Sequence, residues 1–189
     1  MASILETRNL TMQFGGVTAV DNVDFKLERN ELRCLIGPNG AGKSTFFKCL
    51  TGQLKPSAGH VFIENEETTG WDPHAIARLG IGIKTQVPSV MDGLSVRENI
   101  WLASYRTHGG DRARRFADDA IDRLSLNEIA SATVGRLSPG ERQRVELGIL
   151  ISMAPWPILL AEPAAGMTGE DVARMAAIIA ELHASAGLV

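Results

Sequence analysis

The chain has 189 residues, 44% of them hydrophobic and 22% charged, with a net charge of −3. This length suits one α/β domain with a sizeable core, and the composition excludes both a disordered chain and a membrane-embedded one. The slightly acidic balance argues against broad nucleic-acid binding, and no apolar run approaches the roughly 18 to 20 residues that span a bilayer.

Met1 to Leu10 carries Glu6 and Arg8 and no continuous apolar stretch, so it does not read as a signal peptide. Ile4 to Met12 and Val20 to Leu27 have strand-like alternation around the turn Phe14-Gly15-Gly16, which predicts an antiparallel pair with Val23, Phe25 and Leu27 on one face. Phe14 has two readings: a ring that packs the turn, or a ring on which a base stacks. The apolar run Leu32 to Ile36 predicts a third strand. It leads into Gly37-Pro38-Asn39-Gly40-Ala41-Gly42-Lys43-Ser44-Thr45, which fits the phosphate-binding pattern Gly-x4-Gly-Lys-Ser. Gly37, Gly40 and Gly42 can adopt the backbone angles that curl successive N–H groups around an anion. The helix that follows adds its N-terminal partial charge at the same place. Lys43 is placed to reach the β- and γ-phosphates of a nucleotide, and the Ser44 hydroxyl to ligate Mg²⁺.

That helix ends near Thr51-Gly52, and Gly59 to Glu64 predicts another short strand. Asp72-Pro73 starts a helix that Gly80 closes, and Ile81-Gly82-Ile83 starts a core strand with Gln86 at its C-terminal end. Gln86 reads either as an exposed loop residue or as a contact to Mg²⁺ or the attacking water, because ligands meet open α/β sheets at strand ends. The two cysteines, Cys34 and Cys49, on the predicted strand and helix flanking the loop, read as buried thiols of a reducing compartment.

From Val87 the pattern becomes helical. Ser95 and Glu98 form a capping-box pair, Gly109-Gly110 breaks the helix, and Asp111 to Leu124 forms the next one, with Phe116, Ala120, Ile121 and Leu124 on its apolar face and a solvated charged face opposite. Leu137-Ser138-Pro139-Gly140-Glu141-Arg142-Gln143-Arg144 opens a further helix, running to about Met153, with Ser138 as cap, Pro139 at its first position and Glu141 three residues on. Local chemistry explains this start fully, yet its free N-terminus is also a second anion site. Ile158 to Pro163 predicts a buried parallel strand ending in Glu162, where a carboxylate beside the Leu32 strand would polarise water for attack on phosphorus. A last helix opens at Gly169 with Val172, Met175, Ala176, Ile179 and Leu182 apolar, and Gly187-Leu188-Val189 begins a strand. His183 reads as a surface residue, and His60, His74 and His108 lack ligand spacing.

In this order and spacing, Phe14, the Gly37–Thr45 loop, Gln86, the Leu137–Gln143 signature, Glu162 and the turn Ala165-Gly166-Met167-Thr168 resemble the ATP-binding cassette family over essentially the whole chain. Phe14-Gly15-Gly16, Gly80-Ile81-Gly82-Ile83 and Glu162 to Met167 look most like subunits of branched-chain amino acid or urea and short-chain amide importers. The resemblance implies a P-loop NTPase α/β fold with a mostly parallel sheet, a small N-terminal antiparallel β subdomain and an inserted helical subdomain. It divides the single domain 1–189 into a nucleotide-binding core of residues 1–86 and 155–189 and a helical subdomain of residues 87–154. It implies ATP and Mg²⁺ as ligands and a head-to-tail pair of such subunits, identical or not, with ATP between the Lys43 loop of one and the Ser138, Gly140 and Glu141 helix start of the other. Phe14 would stack adenine, Ser44 and Gln86 would hold Mg²⁺, and Glu162 would be the general base. An integral membrane permease would dock on the helical insertion and the Gln86 loop, which places the protein on the cytoplasmic face of a membrane.

Three residue patterns depart from that family. The strand ends Ala161-Glu162 where Asp-Glu is usual, and a methyl group cannot accept the hydrogen bonds through which the Asp supports Mg²⁺. The signature carries Pro139, which lacks an N–H, and Glu141. The chain also ends before the strand and switch histidine that the family pattern continues into, so it reads as short at its C-terminus. These departures leave open a second reading, a nucleotide-binding partner with impaired hydrolysis. Soluble cassettes of DNA repair or translation carry long insertions or tandem cassettes that are not seen here, and the signature helix disfavours a P-loop small-molecule kinase.

Overall fold

The computed structural model describes residues 3–84, 90–155, 157–161 and 167–186, except the side chains of Leu182, Ser185 and Ala186. Contacts divide the chain into two compact units, Met1–Ile81 with Ser185–Val189, and Gly82–Ala184.

The first unit is built on an antiparallel sheet. Its strands are β1 (Ser3–Phe14), β2 (Val17–Glu28), β3 (Ala58–Ile63) and β4 (Glu66–Glu67), in the spatial order β2-β1-β3-β4. Gly15, at φ 56°, makes the tight turn between β1 and β2, and the pair is longer at both ends than the alternation predicts. Ile4, Leu5, Leu10 and Met12 of β1 are buried with Val61 and Ile63 of β3. Helix α1 (Lys43–Leu50) buries Phe46, Cys49 and Leu50, and Phe46 meets Phe25 of β2 edge-on with ring centroids 5.6 Å apart. The short helix α2 (Pro73–Arg78) starts at Asp72-Pro73 as predicted, and Gly80 follows its end at φ 88°.

One expected strand does not form among the described residues. Leu32 to Ile36 runs as irregular chain with no ladder partner among the described residues, and Leu32, Leu35 and Ile36 are exposed. A β-strand exists only through hydrogen bonds to a neighbour, so apolar character alone does not make one. Cys34, on this segment, is exposed and not buried as expected, whereas Cys49 is buried.

The second unit holds β5 (Gly82–Lys84) and β6 (Ile158–Leu160), paired in parallel with Gly82 opposite Ile158 and Lys84 opposite Leu160. Around them lie α3 (Val96–His108), α4 (Gly110–Arg123), α5 (Pro139–Ser152) and α6 (Gly169–Ala186). Helices α3, α4 and α5 close on a core of Val96, Ile100, Ala117, Ile121, Val145 and Leu147. Ala113 and Ala117 join the predicted apolar face of α4, while Phe116 is only half-buried and stacks on His108 at 3.9 Å. The charged face of α4 is solvated and carries surface ion pairs, Asp118 with Arg97 and Asp119 with Arg123. Among the described side chains of α6 the buried ones include Met175 and Ile178, whereas Val172 and Ala176 are exposed and Ile179 is intermediate, so the buried positions are shifted from the expected ones. His183 is half-buried, with its Nδ1 out of solvent contact, and so is not the surface residue expected.

Candidate functional site

The phosphate loop is held open by glycine geometry. Gly40 and Gly42 have φ of 82° and 85°, and a Cβ on Gly42 would lie 2.1 Å from the carbonyl oxygen of Ala19 on β2. Only glycine fits that approach, so β2 fixes where the loop turns into α1. The first N–H used along the helix is that of Phe46, bonded to Gly42 O at 2.8 Å. The N–H groups of Lys43, Ser44 and Thr45 therefore belong to the open first turn, where an anion is stabilised. The ammonium of Lys43 folds back over the loop and donates to the carbonyls of Gly37 and Pro38, at 2.7 Å each. Ser44 is exposed beside it. A flexible cation, an open helix start and an exposed hydroxyl are a donor set that fits a nucleotide phosphate with Mg²⁺. Gly37, Pro38, Asn39 and Ala41 line the same exposed turn. Phe14 stands at the β1–β2 turn with 47% of its surface exposed, which leaves a ring face open for stacking.

The second predicted element is built as the sequence proposes. Ser138 caps α5: its hydroxyl donates to Glu141 Oε2 at 2.7 Å and accepts from Glu141 N–H at 3.3 Å, while its own N–H donates to Glu141 Oε2 at 2.8 Å. The hydroxyl and N–H of Ser138 hold the Glu141 carboxyl below the ordinary carboxylate range. Gly140 is buried against α6, where a Cβ would meet the Asp171 carboxylate at 2.7 Å. Ser95 and Glu98 form the same box at the start of α3.

Gln86, Glu162 and the Ala164–Gly166 part of the following turn lie outside the described residues, as do Gly187 to Val189. Their flanks are described. Lys84 ends β5, and its carbonyl accepts from the N–H of Ala161 at 3.0 Å. The half-exposed Ala161 thus extends the β5–β6 contact to the residue before Glu162.

A profile of the ABC transporter family matches residues 20–165, which include the phosphate loop and the capped signature helix. The chain belongs to the ABC transporter family. This ABC transporter chain is 34% identical to the high-affinity branched-chain amino acid transport ATP-binding protein BraF of Pseudomonas aeruginosa, over 95% of itself and 77% of that relative. It is 33% identical to the corresponding protein LivG of Escherichia coli, with the same coverage. Among solved structures, the ADP conformation of MJ1267, an ATP-binding cassette of an ABC transporter, superposes with a TM-score of 0.87 at 27% identity, covering 100% of this chain and 80% of that one. The structure of cbiO1 from Clostridium perfringens, part of the ABC transporter complex cbiONQ, gives 0.88 at 26% identity, covering 99% and 76%.

The sequence reading missed two groups in this ABC transporter chain. Lys84 and Glu146 of α5 form an ion pair at 2.9 Å with side chains only 6% and 7% exposed. Its one sequence signal is a lysine at the end of an apolar strand. Asn99 of α3 is buried; its Oδ1 accepts from Met91 N–H at 2.7 Å and its Nδ2 donates to the carbonyls of Met91 and Ser95 at 3.1 and 3.0 Å. It fixes the backbone at Met91, five residues beyond Gln86, in place of a neighbouring strand.

Proposed function

We propose that the chain is the ATP-binding and ATP-hydrolysing subunit of an importer for branched-chain amino acids or for urea and short-chain amides. The observation that carries this is the presence in one chain of two separately built helix starts. One is the Lys43 loop before α1, and the other is the Ser138–Glu141 box opening α5. A single nucleotide needs the first; the second serves a nucleotide held by another copy or a related subunit. Lys43 binds and orients the β- and γ-phosphates, Ser44 offers a hydroxyl to Mg²⁺, and Phe14 receives the base. Mg²⁺ when bound neutralises charge on the phosphates. Ser138 and Gly140 present the α5 start to the partner's nucleotide, and Gln86 and Glu162 take the roles of metal contact and general base.

The second unit also offers a groove of about 400 Å³ lined by Met91, Leu102, Arg106, Ile149, Leu150 and Met153. Met91 is 58% exposed and Leu102 37%, so the groove, which Lys84, Asn99 and Glu146 also line, presents exposed apolar side chains beside Arg106 that suit an amphipathic segment of a permease. No helix among the described residues is long and apolar enough to cross a membrane. We place the chain on the cytoplasmic face, attached through that groove, with residues 87–154 as the helical subdomain and the rest as the nucleotide core.

The test is ATP affinity with and without Mg²⁺, together with turnover. Binding strengthened by Mg²⁺ and turnover above background support the reading; absence of ATP binding overturns it. Ala161 favours a second reading, a subunit that binds nucleotide but hydrolyses it poorly, because its methyl group cannot order a metal-bound water. Under that reading Ala161→Asp raises turnover by about tenfold or more with little change in affinity. Unchanged turnover in that variant removes it.

A further inference from the structure

The most unusual group outside the phosphate loop is the buried Lys84–Glu146 pair. Lys84 is a junction. Its backbone pairs with β6 opposite Leu160 and accepts from Ala161 N–H, and its ammonium reaches across to α5 at 2.9 Å. Beyond Lys84 the sequence continues to Gln86, and beyond Ala161 to Glu162. Glu146 lies five residues after Glu141 on the helix whose first turn is the signature. One turn before Glu146, Arg142 on the same face binds Asp92 at 2.7 Å, and Asp92 O accepts from Gly135 N–H. Helix α5 therefore grips the chain on both sides of residues 85–90, through a buried ion pair on one side and a half-exposed one on the other.

Holding a helix on a sheet does not require this. Packed apolar side chains of similar volume usually stabilise as well as a buried ion pair or better, because the ions lose their water. An ion pair differs in being directional, so it sets the register between two elements rather than merely joining them.

We propose that Lys84 and Glu146, assisted by Arg142 and Asp92, are positioning residues for ATP hydrolysis. They hold the start of α5, which carries the signature, in register with the ends of β5 and β6. The proposal rests on the hydrolytic reading above. It concerns the rate at saturating ATP and not the affinity, because the elements these pairs join are α5, β5 and the Asp92 segment.

The experiment compares steady-state ATP hydrolysis and thermal melting of the full chain with those of Lys84→Arg, the apolar pair Lys84→Met with Glu146→Leu, and Arg142→Met. Lys84→Arg keeps the pair and stays within about twofold of the parent kcat. The apolar pair melts with the parent yet loses about fivefold or more in kcat with KM for ATP changed less than about twofold. Arg142→Met gives a smaller loss of the same kind. An apolar pair that folds and turns over at the parent rate overturns the proposal. Should that variant not fold, an unchanged kcat in Arg142→Met together with a fivefold loss in Lys84→Arg overturns it. An unsubstituted chain with no turnover overturns the hydrolytic reading and the positioning role together, whereas normal turnover with an insensitive apolar pair overturns the positioning role alone.

Discussion

Gly140 and Asp171 approach so closely that a Cβ on the glycine would sit 2.7 Å from the aspartate Oδ2. The carboxylate accepts from the Thr168 hydroxyl at 2.8 Å, so swinging aside costs that hydrogen bond. The first turns of α5 and α6 are thus in contact through a site that has no room for a methyl group. Gly140→Ala is expected to cost about 1 to 3 kcal/mol through overpacking. Asp171→Ala in the same chain should recover most of that loss. Chemical denaturation of the single and double variants measures the coupling, and strictly additive losses would show that the contact is not the cause.

The phosphate loop makes a sharper prediction at Gly42. Alanine there must take a φ near 85° and clash with the Ala19 carbonyl, so the loop has to move off β2. Gly42→Ala should lower stability by about 2 kcal/mol or more and abolish binding of a fluorescent ATP analogue. Lys43→Ala removes only a partly exposed ammonium bonded to two loop carbonyls, so its melting temperature should match the parent while nucleotide affinity falls by about tenfold or more. Retained affinity in Lys43→Ala would separate this loop from nucleotide binding.

Acid should act on the two capping boxes. Glu98 and Glu141 are both held below the ordinary carboxylate range, mainly by hydrogen bonds from Ser95 and Ser138. A depressed carboxyl contributes stability that is complete above its unfolded value of about 4.3 and is lost as pH falls through the lower folded value. Melting temperature should therefore be flat near neutrality and drop below about pH 4. The double variant Glu98→Gln with Glu141→Gln should show a shallower drop. A parallel drop in parent and variant would assign the acid sensitivity to other groups.

The two thiols should separate cleanly. Cys34 is exposed, whereas Cys49 is buried and its thiol is pushed up by desolvation, which keeps it in the unreactive form. A maleimide applied to the native chain should label one cysteine quickly, and Cys34→Ser should remove that reaction. Rapid labelling of both would show that α1 opens readily.

Features with local causes were legible in the sequence. The boxes at Ser95 and Ser138, the proline start of α2 and the turn at Gly15 each depend on residues within three positions, and each appears where the spacing puts it. Features decided by distant partners were not. Leu32 to Ile36 has strand composition, but a strand requires a ladder. Lys84 and Glu146 are far apart in the chain, and neither neighbourhood names the other. The buried stripe of α6 was misplaced for the same reason, because what packs against a helix chooses between adjacent apolar positions such as Ile178 and Ile179.

The posture of Lys43 has a thermodynamic consequence. Its ammonium already holds two carbonyl partners at 2.7 Å. An arriving phosphate does not meet a bare cation; it displaces neutral acceptors in favour of a charged one. The heat released on binding should then reflect the difference between those two sets of bonds, and titration calorimetry should find a smaller exothermic signal than a count of the new contacts suggests. The loop supplies its own temporary counter-dipole, which keeps the lysine placed until a stronger acceptor arrives.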